Sequence, residues 1–199
     1  MTGLLAPVLT PDDLPLAELC GARLDGEVYP LGDSWCPVDE ADGPVVRALA
    51  AGRLVPPRAI AERMTACWVY GLVPEPRRHD FCVDHGARTH LAPSPRVRLR
   101  EVHCGPGETL VIAGLRVTTP LRTVIDLARY AAPDASPDTA PDAAPGLVSL
   151  LAALLRLGGF ADTRSAEQLC RKRNLPHKTI ALARLDQASK LLPSGSSRR

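Results

Sequence analysis

The chain has 199 residues, 45% of them hydrophobic and 23% charged, with 20 prolines and only two phenylalanines. That is enough chain to bury a real core in one or two small domains. Its longest apolar stretch, residues 147–155, is far too short to cross a bilayer. The net charge of +2 hides an asymmetry: residues 1–50 hold two arginines against nine acids, whereas residues 51–130 hold twelve bases against seven. An acidic front repels phosphate and the remainder attracts it. The opening MTGLLAPVLTPDD lacks the basic start of a secretory signal, so a cytoplasmic protein is expected, with its six cysteines as buried thiols.

In chain order, LPLAELCGARL (14–24) predicts a short helix with Leu16, Leu19 and Cys20 inward. GEVYPLGDSWCPV (26–38) predicts a hairpin turning at Leu31-Gly32-Asp33, with Pro30 and Pro37 at strand ends or on an edge. Residues 44–54 predict a helix burying Val45, Val46, Leu49 and Ala50. A second helix is expected over 58–70, where Ile60, Met64, Cys67 and Trp68 recur at helical spacing and Gly71 marks the stop. HDFCVDHG and RVRLREV (96–102) read as strands; in the latter Val97 and Leu99 point one way, Arg96, Arg98 and Arg100 the other. Leu110 to Val117 predicts a hairpin through Ala113-Gly114.

In LRVTTPLRTVIDLAR (115–129) Thr119 is placed as an N-cap and Pro120 at the first helical position. Leu121, Val124, Ile125 and Ala128 form the stripe to be buried. Arg122, Asp126 and Arg129 stand at spacings that let them pair on the helix surface, as a partner-binding row. AAPDASPDTAPDAAPG (131–146) has nothing to build a core with and reads as a linker. Helices follow at 147–157, 162–173 and 177–192, then the tail PSGSSRR.

Metal-ligating types gather in one place: His79, Cys82, His85 and His90, with His103 and Cys104 downstream. On a strand the odd spacing of three sends successive members to opposite faces, so a buried cysteine among surface histidines is expected, and neither metal nor cofactor. No nucleophile elbow, P-loop or dinucleotide turn is present, so no catalytic residue is assigned. Asp80, Asp84, Glu101 and Asp126 keep a metal-dependent nuclease as an alternative, though residues 51–130 contain no lysine. Two basic runs are candidates for phosphate contact: Arg96, Arg98 and Arg100 on one strand face, and Arg171, Lys172, Arg173 and Lys178 around a helix–helix turn.

AERMTACWVYGLVP (61–74), HDFCVDHGARTHLAPSPRVRLREV (79–102) and LRVTTPLRTVIDLAR, in that order and spacing, resemble the actinobacterial AbiEi-like antitoxins, the transcriptional regulators of type IV toxin–antitoxin pairs. The resemblance covers about residues 25–130. It implies a non-enzymatic regulator with an N-terminal winged helix that binds its own promoter, an α/β antitoxin domain and a nucleotidyltransferase-like toxin as partner. It sets 26–38 on the family's wing hairpin, Trp68 and Gly71-Leu72 on its Trp-x-x-Gly-Leu element, and Thr119-Pro120, Arg122 and Asp126 on its strand–helix element. Fewer than 26 residues precede the hairpin, room for one short helix where a winged helix needs about three. The expectation is therefore an α+β chain. It comprises an acidic winged-helix remnant (1–43), a central antitoxin-like domain (44–131), a linker (132–146), a C-terminal helical segment (147–192) and a tail (193–199). Such a chain acts through charged surface and not through a pocket; a degenerate orphan with a structural role is the remaining alternative.

Overall fold

The computed structural model describes residues 6–86, 94–130, 146–172 and 176–192. The fold is α+β. Helix α1 (Leu16–Leu24) leads into the hairpin β1 (Val28–Leu31) and β2 (Ser34–Pro37). Gly32 takes the turn at φ +63°, a conformation open to a residue without a Cβ. Leu9 pairs with Trp35 across the hairpin's other edge, and Leu9, Leu19 and Val28 close a small core of their own. Pro30 and Pro37 sit within these strands, as a two-stranded ribbon permits. The helix turns differently from expectation: only Leu19 is buried, while Leu16 and Cys20 face outward.

Helix α2 (Pro44–Gly52) buries Val46, Ala48, Ala50 and Ala51, but Val45 points out. The predicted helix over 58–70 is two elements. Ile60 and Ala61 form a two-residue strand, β3, and only Arg63–Val69 are helical, as α3. Gly71, at φ +79°, ends α3 as expected, its N–H bonded to the Trp68 carbonyl. The strands β4 (His79–Asp84), β5 (Val97–Val102), β6 (Thr109–Ile112) and β7 (Leu115–Thr118) complete a five-stranded sheet in the order β5-β4-β3-β7-β6. β3 lies at its centre, antiparallel to β4 and parallel to β7. Ile60, Ala61, Phe81, Cys82 and Val83 are all buried, so the central strands are covered on both faces and show no alternation. β5, on the edge, keeps the expected alternation: Val97 and Leu99 join the core, and Arg98 is exposed.

The β6–β7 turn puts Ala113 at φ +46° and Gly114 at φ +85°, the left-handed pair that a two-residue hairpin needs. Helix α4 (Pro120–Tyr130) begins as the sequence predicts, with Pro120 first and the Thr119 hydroxyl accepting from the Arg122 N–H at 3.4 Å. Helices α5 (Leu147–Leu157), α6 (Arg164–Lys172) and α7 (Lys178–Ser189) pack against α4. Leu150, Leu151, Leu154, Leu155 and Leu185 thereby join the same core as Phe81 and Val117. The 131–145 part of the expected linker, and the tail, lie outside the described residues. No helix among the described residues is long and apolar enough to cross a membrane.

One close approach fixes the α5–α6 turn. A Cβ at Gly158 would stand 2.8 Å and 2.9 Å from the Phe160 ring and 3.3 Å from Pro120. Gly158→Ala should therefore destabilise the protein by about 1–3 kcal/mol through overpacking. A lowered urea midpoint with unchanged slope is the expected reading; an unchanged midpoint would mean that the ring simply moves aside.

Candidate functional site

The residues with the most chemistry meet where β5, the N-terminus of α3 and one side of α4 converge. Arg100 leaves β5 and grips Glu62, the residue just before α3, with Nε and Nη2 donating to the two carboxylate oxygens at 2.5 and 2.6 Å. Asp126 of α4 is 1% exposed. Its Oδ2 accepts from Arg122 Nε at 2.8 Å and stands 3.8 Å from Arg100 Nη2. Arg122 also donates to Glu108 and, at 3.2 Å, to the His103 carbonyl. Arg129 donates to the Pro176 carbonyl and the Tyr130 hydroxyl, at 3.0 and 2.8 Å. Desolvation works against charge on Arg100 and Arg122. Their carboxylate partners outweigh it and hold both guanidiniums above their ordinary pKa.

Three guanidiniums surround the Tyr130 ring: Arg129, Arg63 and Arg100 lie 4.6, 4.9 and 5.5 Å from its centroid. Arg63 reaches it from the first position of α3, where its backbone stands at φ +48°. A side chain in that left-handed region is strained, and such strain concentrates at functional places. Two buried polar atoms of this cluster have no hydrogen-bond partner among the described residues: Arg63 Nε and Asp126 Oδ1. The cluster borders a cavity of about 450 Å³. Arg100, His103, Glu108, Arg122, Asp126, Arg129 and Tyr130 form its polar wall, and Val102, Ile125 and Leu169 its apolar one.

This corrects the expectation that Arg122, Asp126 and Arg129 form an exposed partner-binding row. α4 is packed by α3, α5, α6 and α7, so only a cavity is left beside the row. It also corrects the expectation of charged surface without a pocket. The β5 arginines are not one free stripe: Arg96 pairs with Asp33 and Glu75, Arg98 lies 3.5 Å from Asp80, and Arg100 turns inward to Glu62. Of the second basic run, Arg171 pairs with Glu167, and Lys178 donates to the Arg171 carbonyl. The Lys172 side chain and Arg173 lie outside the described residues.

His79 is no surface histidine either. It is fully buried against Trp68, with ring centroids 5.3 Å apart. Both ring nitrogens have partners: Nδ1 lies 3.4 Å from the Thr65 hydroxyl, which accepts from the Asp80 N–H, and Nε2 lies 3.2 Å from Glu75. His85 is exposed and 3.5 Å from Glu101, and His90 lies outside the described residues. No group of three or more His, Cys, Asp or Glu among the described residues is placed to hold an ion. Cys36, Cys67, Cys82 and Cys170 are buried as expected, Cys104 is half-buried and Cys20 is exposed.

Glu75 is the latch between the N-terminal hairpin and the sheet. It accepts from His79, from Arg96 at 2.8 Å and from the Gly32 N–H at 3.0 Å, while Arg96 also reaches Asp33 in the same turn. Burial pushes the Glu75 carboxyl up, but His79, Arg96 and the Gly32 N–H together hold it below the ordinary glutamate value. A depressed carboxylate contributes stability above its unfolded pKa, about 4.3, and loses it as pH falls through the lower folded value. Wild-type protein should lose part of its stability on acidification below about pH 4.5 through this group. Glu75→Gln, measured in the same urea series, should lack that part of the slope. Superimposable pH profiles would sink the latch.

The sequence pointed to Arg100, Arg122, Asp126 and Arg129 but missed Glu62, Arg63, Glu108 and Tyr130. Glu62 and Arg100 are 38 positions apart, and no local pattern links them.

No family model matches the sequence, and no curated protein matches it. Among solved structures, the chain is similar to the crystal structure of the RV2827C protein from Mycobacterium tuberculosis, at 18% identity and a TM-score of 0.45. That match covers 92% of this chain and 72% of the other.

Proposed function

We propose that the chain is an AbiEi-like antitoxin-type transcriptional regulator. It works in the cytoplasm without enzymatic activity, binding a nucleotidyltransferase-like toxin and the promoter DNA of its own operon. One observation carries the non-enzymatic part: the carboxylates of the charged cluster, Glu62, Glu108 and Asp126, are each engaged by a guanidinium. Carboxylates paired in this way are turned to the arginines and away from general-base or metal-binding work. The helix-plus-hairpin at the N-terminus supports the reading of a reduced wing, latched to the sheet through Glu75.

DNA contact falls to cations that keep an outward face. Arg98 is 54% and Arg171 63% exposed, and their pairs with Asp80 and Glu167, at 3.5 and 3.2 Å, are of the solvent-exposed kind that contributes little. A gel shift with the DNA upstream of the gene, repeated across salt concentrations, tests the reading. Retardation should weaken with salt at a log–log slope of about −0.9 per phosphate contacted, and Arg98→Glu combined with Arg171→Glu should reduce it. Failure to shift that DNA at low salt, together with failure to capture the nucleotidyltransferase-like protein encoded alongside, would overturn the proposal.

A further inference from the structure

Helix α1 is anchored by one side chain. Of its nine residues only Leu19 is buried, packed with Leu9 and Val28. Its larger apolar row is Leu16, Cys20 and Leu24, which recur every four residues and so form one ridge along the helix. That ridge faces outward: Leu16 is 54% and Leu24 88% exposed, and Cys20 is exposed. A helix this short is not stable alone and depends on what its apolar side packs against; here most of that side is left to solvent. The row beside the ridge is Ala17 and Gly21. Ala17 is exposed, and a Cβ built on Gly21 would find nothing within 4 Å. One face of α1 therefore carries a ridge of large side chains and, next to it, a shallow open groove.

We infer that α1 is the interface of a homodimer, two copies of this chain packed antiparallel about a two-fold axis that passes by Cys20. The ridge of each copy lies in the Ala17–Gly21 groove of the other. This interdigitation of four-residue rows is the commonest packing between helices. One patch serves both sides, as a two-fold interface requires. Leu16 of one copy meets Leu24 of the other. Charge selects the antiparallel sense. Arg23, in the last turn of α1, comes beside the exposed Asp12 and Asp13 that precede the helix in the other copy, and the helix dipoles oppose one another. A parallel pair would set those acids against their own copies. So short a helix covers less than the roughly 800 Å² per partner of a standard interface, and the dimer accordingly forms as concentration rises. This inference goes beyond the regulator reading and stands on α1 alone.

Sedimentation equilibrium of the full chain under reducing conditions, from micromolar to near-millimolar concentration, tests it. The dimer fraction should rise with concentration. Leu24→Glu, at a position too exposed to matter for the fold, should weaken association about tenfold or more. Oxidation by copper(II) phenanthroline, which removes two electrons as two thiols release their protons, adds a test of geometry. It should join Cys20 to Cys20 in the wild-type dimer, since helices packed through small residues bring the two Cα atoms within about 7 Å, the reach of a disulfide. Cys20→Ser should give no linked dimer. Protein that stays monomeric throughout, or a dimer that Leu24→Glu leaves equally strong, would overturn the inference. So would a dimer that oxidation does not link through Cys20.

Discussion

Arg100→Ala should destabilise the protein by about 3 kcal/mol, the lower end of what breaking a buried ion pair costs. The cost comes from the partner left behind. Glu62 is 1% exposed, and Arg100 engages both of its carboxylate oxygens. Without the guanidinium a carboxylate is stranded where water does not reach. Arg100 is itself 25% exposed, which lets some water in and keeps the figure from the top of the range. Removing both charges is a different matter: Glu62→Leu with Arg100→Leu should return to within about 1 kcal/mol of wild type, since apolar replacement of a buried pair is close to neutral. Urea unfolding of the two variants measures both numbers. An Arg100→Ala loss under about 1 kcal/mol would put the pair in the class of solvent-screened surface bridges.

Leu151→Ala should cost about 3 kcal/mol and leave unfolding a single transition. Leu151 is fully buried on α5 and belongs to the same core as Trp68, whose ring is 3% exposed on α3. Tryptophan fluorescence and far-ultraviolet circular dichroism should therefore shift together. If the dichroism moves to lower urea while the fluorescence stays, the C-terminal helices unfold as a unit of their own.

What could be read from the sequence was what short-range chemistry determines. The Ala113-Gly114 turn, the Thr119-Pro120 start of α4, the Gly71 stop and the alternation of β5 each depend on neighbours a few residues away. β3 failed because two residues carry no period: Ile60 continues the spacing of Met64 and Cys67, and only its pairing with Cys82 and Arg116 makes it a strand. The charged row on α4 was found, and its side was not. Arg122, Asp126 and Arg129 are hydrophilic by composition, and nothing local announces that Glu62, Arg100, Glu108 and Tyr130 will surround them. His79 was missed for the same reason, since a polar ring is buried here only because Thr65 and Glu75 satisfy both of its nitrogens.

The brevity of β3 has a consequence for the nascent chain. Its parallel partner β7 leaves the ribosome more than fifty residues later, and that pairing is the least local in the sheet. Throughout the interval one side of β3 stands open, the circumstance in which unfinished sheets recruit strands from other molecules. An edge only two residues long offers such a recruit almost nothing to zip onto, so the gap at the middle of the sheet doubles as protection during synthesis.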